Sequence, residues 1–271
     1  MKKVILITGA SSGMGKVFAQ DLAKEGHIVY GAARRVDLLE ELAKKGVKTI
    51  ALDVTNDESM KSCVQTILDK EGRIDVLVNN AGYGSYGTIE DVSMEEAKRQ
   101  LDVNVFGLAR MTQLVLPSMR KQKSGKIINI SSIGGKIATP FGAWYHASKF
   151  AVEGMSDSLR TEVKPFGIDV IVIEPGGVKS EWATIAYENL TKTTQDTAYS
   201  EMANKFKKAF ETTISKNAEP EVISRLVSKA IAAQKPKTRY SGGYMAKPAL
   251  FFRRWFGDRT MDKILLSQLP K

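Results

Sequence analysis

The stretch that most constrains this chain is Thr8-Gly9-Ala10-Ser11-Ser12-Gly13-Met14-Gly15, a glycine-punctuated turn between an apolar run and a helical pattern. The run before it, residues 4–7, is Val-Ile-Leu-Ile, short and rich in β-branched side chains, as a strand requires. The pattern after it, residues 14–24, has helical spacing and stops at Gly26, in keeping with the preference for glycine just past a helix. Gly9 can adopt backbone angles closed to other residues. Gly13 and Gly15 let helix pack on strand and let the backbone approach a ligand closely. With Ser11, Ser12 and Met14 they leave free N–H groups at the positive end of a helix dipole, which is where a pyrophosphate binds.

The same alternation continues. Strand patterns at residues 27–31, 47–52, 74–78, 126–130 and 168–173 are separated by helical patterns at 37–45, 58–70, 93–122 and 145–164. The strands are almost wholly apolar, which is how strands covered on both faces read. Strand–helix alternation implies right-handed crossovers and an α/β fold, a doubly wound parallel sheet of the Rossmann type flanked by helices. Residues 179–216 are polar and Thr-rich, predict two helices, and hang over the carboxyl end of the sheet as a substrate lid. The predicted organisation is a single domain over 1–271, with its core in 1–180 and a basic helical C-terminal extension over 217–271 that includes a helix at 221–234.

Composition narrows the functional classes. One cysteine, Cys63, excludes an internal disulfide, and two histidines in no ligand spacing exclude a metal cluster. The apolar run at the start is shorter than the roughly 7–15 residues of a secretory signal, and nothing approaches the ~20 residues of a membrane span. The expectation is a soluble cytoplasmic protein. The formal charge of +10 is uneven: residues 201–271 hold 15 Lys+Arg against 6 Asp+Glu. That tail ends in an aromatic, basic segment at 250–269. It is expected to dock on the core, with pocket covering or membrane-surface contact as alternatives.

An NAD binder places an acid at the end of the second strand to hold the ribose hydroxyls. Here the stretch is Gly31-Ala32-Ala33-Arg34-Arg35. A guanidinium grips a 2′-phosphate that a carboxylate would repel. Arg34 and Arg35, aided by Ser11, therefore favour NADP(H) over NAD(H), with Asp37 the residue that speaks against it.

Five further motifs follow the glycine loop in order: Asp53-Val54, Asn79-Asn80-Ala81-Gly82, Asn104, Ser132 with Tyr145-x-x-x-Lys149, and Pro175-Gly176-Gly177-Val178. Over residues 3–180 the chain resembles the short-chain dehydrogenase/reductase superfamily, in its single-domain, NADP(H)-preferring branch that includes hydroxysteroid and retinol dehydrogenases. The resemblance implies a homodimer or homotetramer built on the helices near 93–122 and 145–164. It makes Tyr145 the general acid/base, Ser132 the donor to the substrate oxygen, and Asn104 the holder of a water that relays protons to Lys149. It puts Asp53 and Val54 beside the adenine, with Asn80, Ala81 and Gly82 also on the cofactor. The resemblance also lays Pro175, Gly176 and Val178 against the nicotinamide. Ser180 stands where the family usually has threonine, which keeps the hydroxyl.

The chemistry needs these residue types in its own right. Reduction of a carbonyl takes a hydride at carbon and a proton at oxygen. A free phenol titrates near pH 10. An ammonium one helical turn away, Lys149, is expected to lower that value toward the working range. Ser131 competes with Ser132 for the donor role on spacing alone, and His146 is expected to be a packing or solvent-facing residue. Tyr83, Tyr86, Ile137, Phe141, Trp182 and Ile185 suggest an apolar pocket for a lipophilic alcohol or ketone, steroid-, retinoid- or fatty-compound-like. Two rival readings are an NADP(H)-binding sensor without turnover and an acidic-surface or nucleic-acid binder acting through the tail; a small-molecule substrate with no nucleic acid is preferred.

Overall fold

A computed structural model describes residues 1–267. The last two positions of the predicted tail segment, 268 and 269, lie outside the described residues. Seven strands form one sheet: β1 (Val4–Thr8), β2 (Ile28–Ala33), β3 (Lys48–Ala51), β4 (Val76–Asn79), β5 (Gly125–Ile130), β6 (Ile168–Pro175) and β7 (Arg239–Gly242). All pairings are parallel, in the order β3-β2-β1-β4-β5-β6-β7. The chain steps outward from β1 to β3 and then returns past β1 to β4. That reversal opens a crevice above the carboxyl ends of β1 and β4, where ligands bind in doubly wound sheets.

The side-chain alternation of each strand feeds two cores. On one face Ile5, Ile7, Ile128 and Ile171 meet Phe18 and Leu22 of α1 (Gly13–Lys24) and Ile223 and Val227 of α9 (Glu221–Ala232). On the other, Leu6, Leu77 and Ile127 meet Met60, Val64 and Ile67 of α3 (Asp57–Glu71) and Met111, Val115 and Met119 of α5 (Leu108–Gln122). The last turn of α6 (Ala143–Val163) joins this second layer through Val163.

Several local expectations change. Residues 37–45 form a 3₁₀ turn, Asp37–Leu39, and then only a four-residue helix, α2 (Glu40–Ala43). The long helix predicted over 93–122 is α4 (Met94–Leu101) and α5 joined by a π-helical segment, Asp102–Gly107. Pro117 sits inside α5 without ending it. The segment predicted as a lid is two helices, α7 (Glu181–Thr194) and α8 (Ser200–Ile214). The C-terminal extension is not all helical, because β7 lies within it. Its Arg-Tyr-Ser-Gly sequence carries little strand signal, and its place comes from pairing with β6 rather than from local propensity. Nor does the tail bury its aromatic side chains on the core: in α10 (Ala246–Trp255) and after it, Phe251, Phe252, Trp255 and Phe256 are all exposed. Among the described residues no helix is long and apolar enough to cross a membrane, and no cluster of His, Cys, Asp and Glu could hold a metal ion.

One cross-element tie fixes β5 against α9. The Lys126 ammonium donates to the carbonyls of Ala230 at 2.9 Å and Ile231 at 2.8 Å, and also to Ala233. These carbonyls are the unsatisfied acceptors at the end of a helix, where positive charge is favoured. Hydrogen bonds from a charged donor contribute about 1.5–3 kcal/mol each and are not additive. Lys126→Met is expected to lower unfolding stability by about 2–3 kcal/mol, read from the urea midpoint; an unchanged midpoint would show the tie to be energetically idle.

Candidate active site

The crevice is closed at its base by contacts between the ends of β1 and β4. The Asn80 amide donates to Thr8 O at 3.0 Å and Gly9 O at 3.1 Å, while the backbone N–H groups of Asn80 and Ala81 both reach Thr8 Oγ1 at 3.0 Å. Gly9 adopts φ +68°, and a Cβ there would stand 2.8 Å from Ala81 Cα. A Cβ on Gly15 would stand 2.4 Å from both Gly9 O and Asn80 Nδ2. Ser12 caps α1 with extended backbone, yet its hydroxyl takes no N–H of the first turn, and that turn holds no acid. The hydroxyl instead accepts from Arg35 Nη2 at 3.1 Å, and Ser11 Oγ lies 3.5 Å from the same nitrogen. A row of free backbone donors at a helix N-terminus beside a guanidinium fits a phosphorylated dinucleotide.

Arg34 leaves β2 exposed, next to Asp53. Burial raises the Asp53 carboxyl, but hydrogen bonds from Thr55 and the charges of Arg34 and Arg99 outweigh it and hold the group below the usual carboxylate range. Val54 backs onto the π segment, where a Cβ on Gly107 would meet Val54 O at 2.5 Å.

At the other end of the crevice, α6 presents Tyr145 and Lys149 one turn apart, both buried. Lys149 Nζ donates to Ile130 O at 2.9 Å and lies 5.9 Å from the centre of the Tyr145 ring. Ser132 follows β5. Its hydroxyl accepts from Gly134 N at 3.0 Å and donates to Pro175 O at 3.4 Å, which places it against the Pro175–Val178 segment. Ser131 Oγ is buried and unpartnered on the far side of that turn, where a Cβ on Gly135 would stand 2.8 Å from it. The two serine hydroxyls thus stand in different surroundings. Asn104, in the π segment, accepts from Tyr83 N at 3.0 Å and donates to Tyr83 O at 2.9 Å and Ser148 Oγ at 3.0 Å. A Cβ on Gly82 would come within 3.1 Å of Asn104 Oδ1 and 3.8 Å of Lys149 Nζ, so these three share one space. The Gly176–Val178 segment is pinned from below: Gly177 N donates to Tyr244 O at 2.9 Å, and a Cβ on Gly176 would stand 2.2 Å from that same oxygen.

The electrostatics differ from the sequence-based expectation. Burial pushes the Tyr145 phenol up to about 12, with the neighbouring Ser132 hydroxyl working the other way. Lys149 does not offset this, because its ammonium is turned to Ile130 O rather than to the phenol oxygen. Burial also pulls Lys149 itself down to about 8, against the raising influence of Glu153. The arrangement therefore holds a phenol that is protonated at neutral pH, beside an amine able to exchange protons near it.

Side chains outside the predicted catalytic set support this centre. Thr8 and Ser148 anchor Asn80 and Asn104. His146 is buried, with Nδ1 3.0 Å from Gly134 O and Nε2 accepting from Thr139 N at 3.0 Å, so it holds the loop after Ser132 and is no proton carrier to the crevice. Glu153, buried one turn beyond Lys149, pairs with Lys136 at 3.0 Å and Arg239 at 2.9 Å. Its spacing from Lys149 is the only signal that could have found it.

Over the phenol lies an aromatic wall. The Trp182 ring from α7 sits 5.0 Å from Tyr145 and 5.6 Å, edge-on, from Tyr86. A Cβ on Gly84 would stand 2.4 Å from that indole, so only glycine lets it settle there. Phe141, Tyr187, Leu190 and Phe206 complete the cluster.

Comparisons with known proteins agree with this geometry. Residues 3–190 match the short chain dehydrogenase family. The chain is 40% identical over 266 residues to the 3-ketodihydrosphingosine reductase of Bacteroides thetaiotaomicron, covering 97% of this chain and 96% of that protein. It is 33% identical over 279 residues to the NADPH-dependent 3-dehydrocapnine reductase of Ornithobacterium rhinotracheale, covering 98% and 97%. Among solved structures, a short-chain dehydrogenase from Streptomyces avermitilis superposes with a TM-score of 0.82 at 32% identity, covering 98% and 94%. The chain belongs to the short chain dehydrogenase family. It is an oxidoreductase of the short-chain type, acting on CH–OH or carbonyl groups with a nucleotide cofactor.

The close approach at Gly15 sets a test. Gly15→Ala forces a methyl group against backbone that cannot yield and should cost about 1–3 kcal/mol of stability. Gly154→Ala, at an exposed helical position where a Cβ meets nothing within 4 Å, should instead gain about 1 kcal/mol. Opposite signs in paired urea melts are expected; equal effects would contradict the packing described.

Proposed function

We propose that this protein uses NADPH to reduce a ketone on a long apolar molecule, with Tyr145 delivering the proton to the developing alkoxide. The observation that carries this reading is a buried, protonated phenol enclosed by Ser132, Lys149 and an aromatic wall. The two named relatives support the substrate class, since one is a 3-ketodihydrosphingosine reductase and the other a 3-dehydrocapnine reductase, the latter NADPH-dependent.

The nicotinamide dinucleotide, when bound, supplies the hydride. The N–H groups of Ser12, Gly13, Met14 and Gly15 hold its pyrophosphate, with Gly9 keeping the loop tight. Arg35 and Arg34, with Ser11, hold the 2′-phosphate, and Asp53 and Val54 border the adenine. Asn80, Ala81 and Gly82 form one side of the crevice and Pro175, Gly176 and Val178 the other. The Ser132 hydroxyl donates to the substrate oxygen and fixes the carbonyl against Tyr145. Tyr145 gives up its proton as charge builds on that oxygen. Lys149 restores it, and an amine titrating at about 8 suits that exchange. Asn104 keeps the π segment clasped to Tyr83 and Ser148, which holds open the space that Lys149 reaches through. The proposed assembly is a homodimer or homotetramer through the helices spanning 94–122 and 143–163, where Phe106 and Phe150 are exposed.

Two measurements test this reading. Tyr145→Phe should lower kcat for NADPH oxidation with 3-ketodihydrosphingosine by about 10²–10⁴ while leaving NADPH binding intact; near-normal turnover would remove the mechanism. Arg35→Ala should raise KM for NADPH by about 10- to 100-fold, the loss of one charge-assisted hydrogen bond, with KM for NADH unchanged. A parallel rise for both cofactors would refute the 2′-phosphate assignment.

A further inference from the structure

The last two described helices carry their aromatic side chains outward. α10 turns Ala246 and the half-buried Arg253 toward the body of the protein. Arg253 Nε donates to Lys136 O at 3.2 Å, and its Nη1 pairs with Asp258 at 2.7 Å. The opposite side shows Phe251, Phe252, Trp255 and Phe256, exposed by 58, 41, 67 and 41%. They form one contiguous cluster: Phe251 lies 6.0 Å from Phe252 and 6.3 Å from Trp255, and Phe252 lies 5.4 Å from Phe256. Leu266 of α11 (Asp258–Ser267) is exposed as well. Six of the seventeen large apolar side chains exposed among the described residues fall within positions 245–266, too concentrated for chance scatter.

Charge surrounds this cluster. Lys247, Arg254, Arg259 and Lys263 are exposed, and among the described residues none of them pairs with a carboxylate. The Arg254 guanidinium lies 5.8 Å over the Trp255 ring. Residues 246–267 hold five Lys or Arg against Asp258 and Asp262, within a C-terminal region whose net charge is +9 (15 basic minus 6 acidic over residues 201–271). A second copy of the chain docking on this face would set like charges against each other. A nucleic-acid duplex, its bases already stacked, would engage the cations but leave the apolar cluster in water. A bilayer bearing anionic lipids satisfies both: tryptophan and phenylalanine settle at the headgroup level, and lysine and arginine meet phosphate.

We infer that α10 and α11 form a docking face for the surface of an anionic lipid bilayer. The inference stands on exposure and charge and does not depend on the substrate proposed above. It also has a structural link to the crevice. α10 packs on the Ile133–Gly135 turn directly after Ser132, and Arg253 bonds the neighbouring Lys136, so the docking helix and the loop bordering the active site form one unit.

The test uses the full chain and vesicles of phosphatidylcholine with or without phosphatidylglycerol. Co-sedimentation at low salt should be at least about tenfold greater with the anionic vesicles and should fall as salt rises. Tryptophan emission should shift to the blue on binding, and Trp255→Phe should remove the shift. The triple variant Phe251→Ser, Phe252→Ser, Trp255→Ser, and separately the pair Lys247→Glu, Arg254→Glu, should each lower binding at least about tenfold with unchanged circular dichroism. Absence of binding to anionic vesicles by the wild-type chain, a comparison that needs no variant, would overturn the inference. So would variants that bind as well as the wild type, a solution dimer that the triple variant converts to monomer, or tighter binding to duplex DNA than to vesicles.

Discussion

The distance between the ends of β1 and β4 is the constraint from which the rest of the site follows. Asn80 reaches across to Thr8 O and Gly9 O, and Thr8 returns the tie by accepting two backbone N–H groups from the facing strand end. At that separation the turn after β1 has no room for a side chain at positions 9 and 15, hence glycine at both. With the turn drawn in, the N-terminus of α1 points along the crevice with its donors uncapped. The same closeness fixes where Gly82 stands, and through Gly82 the depth at which Asn104 and Lys149 meet it. The glycine turn and the Tyr145–Lys149 pair are thus two ends of a single arrangement rather than separately assembled parts.

Burial governs the acid–base character of the centre more than proximity does. Tyr145 and Lys149 are both withdrawn from water, and each is driven toward its neutral form, the phenol upward and the ammonium downward. A buried acidic layer lies behind them. Glu153 is paired with Lys136 and Arg239, while Glu174 is pushed up to about 7 by burial and by Glu153, despite the opposing pull of Arg239. Arg239 belongs to β7, the strand with the weakest sequence signal. The edge of the sheet therefore supplies a cation that pairs with the carboxylate beneath Lys149.

What can be read from the sequence divides along physical lines. Local rules suffice for the glycine turn, the buried strands and the α6 pair, because a phosphate cradle, a two-face-covered strand and an i, i+4 pair each impose a pattern on neighbouring residues. They fail where tertiary contact decides. Arg-Tyr-Ser-Gly becomes a strand only because β6 offers an unpaired edge. The π turn at 102–107 adds a residue to a helix whose apolar spacing looks unbroken. Spacing alone predicts a lowered phenol pKa, and spacing does not reveal that Lys149 Nζ is engaged by Ile130 O. Ser132 and Ser131 become separable only through the surroundings of their hydroxyls. The tail docks through Ala246 and Arg253 but leaves its aromatic side chains outside, because helical periodicity tells which residues share a face but not which way that face turns.

The indole of Trp182 fills the space above the Tyr145 ring, and the absence of a side chain at Gly84 lets it do so. A molecule that takes the place of this ring would have to compensate for pulling it away from Tyr86 and Tyr145. A guest with enough hydrocarbon recovers that cost by filling the vacated hollow, whereas a small polar guest forfeits it. Discrimination by bulk would then need no dedicated recognition group: it would arise from competition between the visitor and one resident side chain for the same volume.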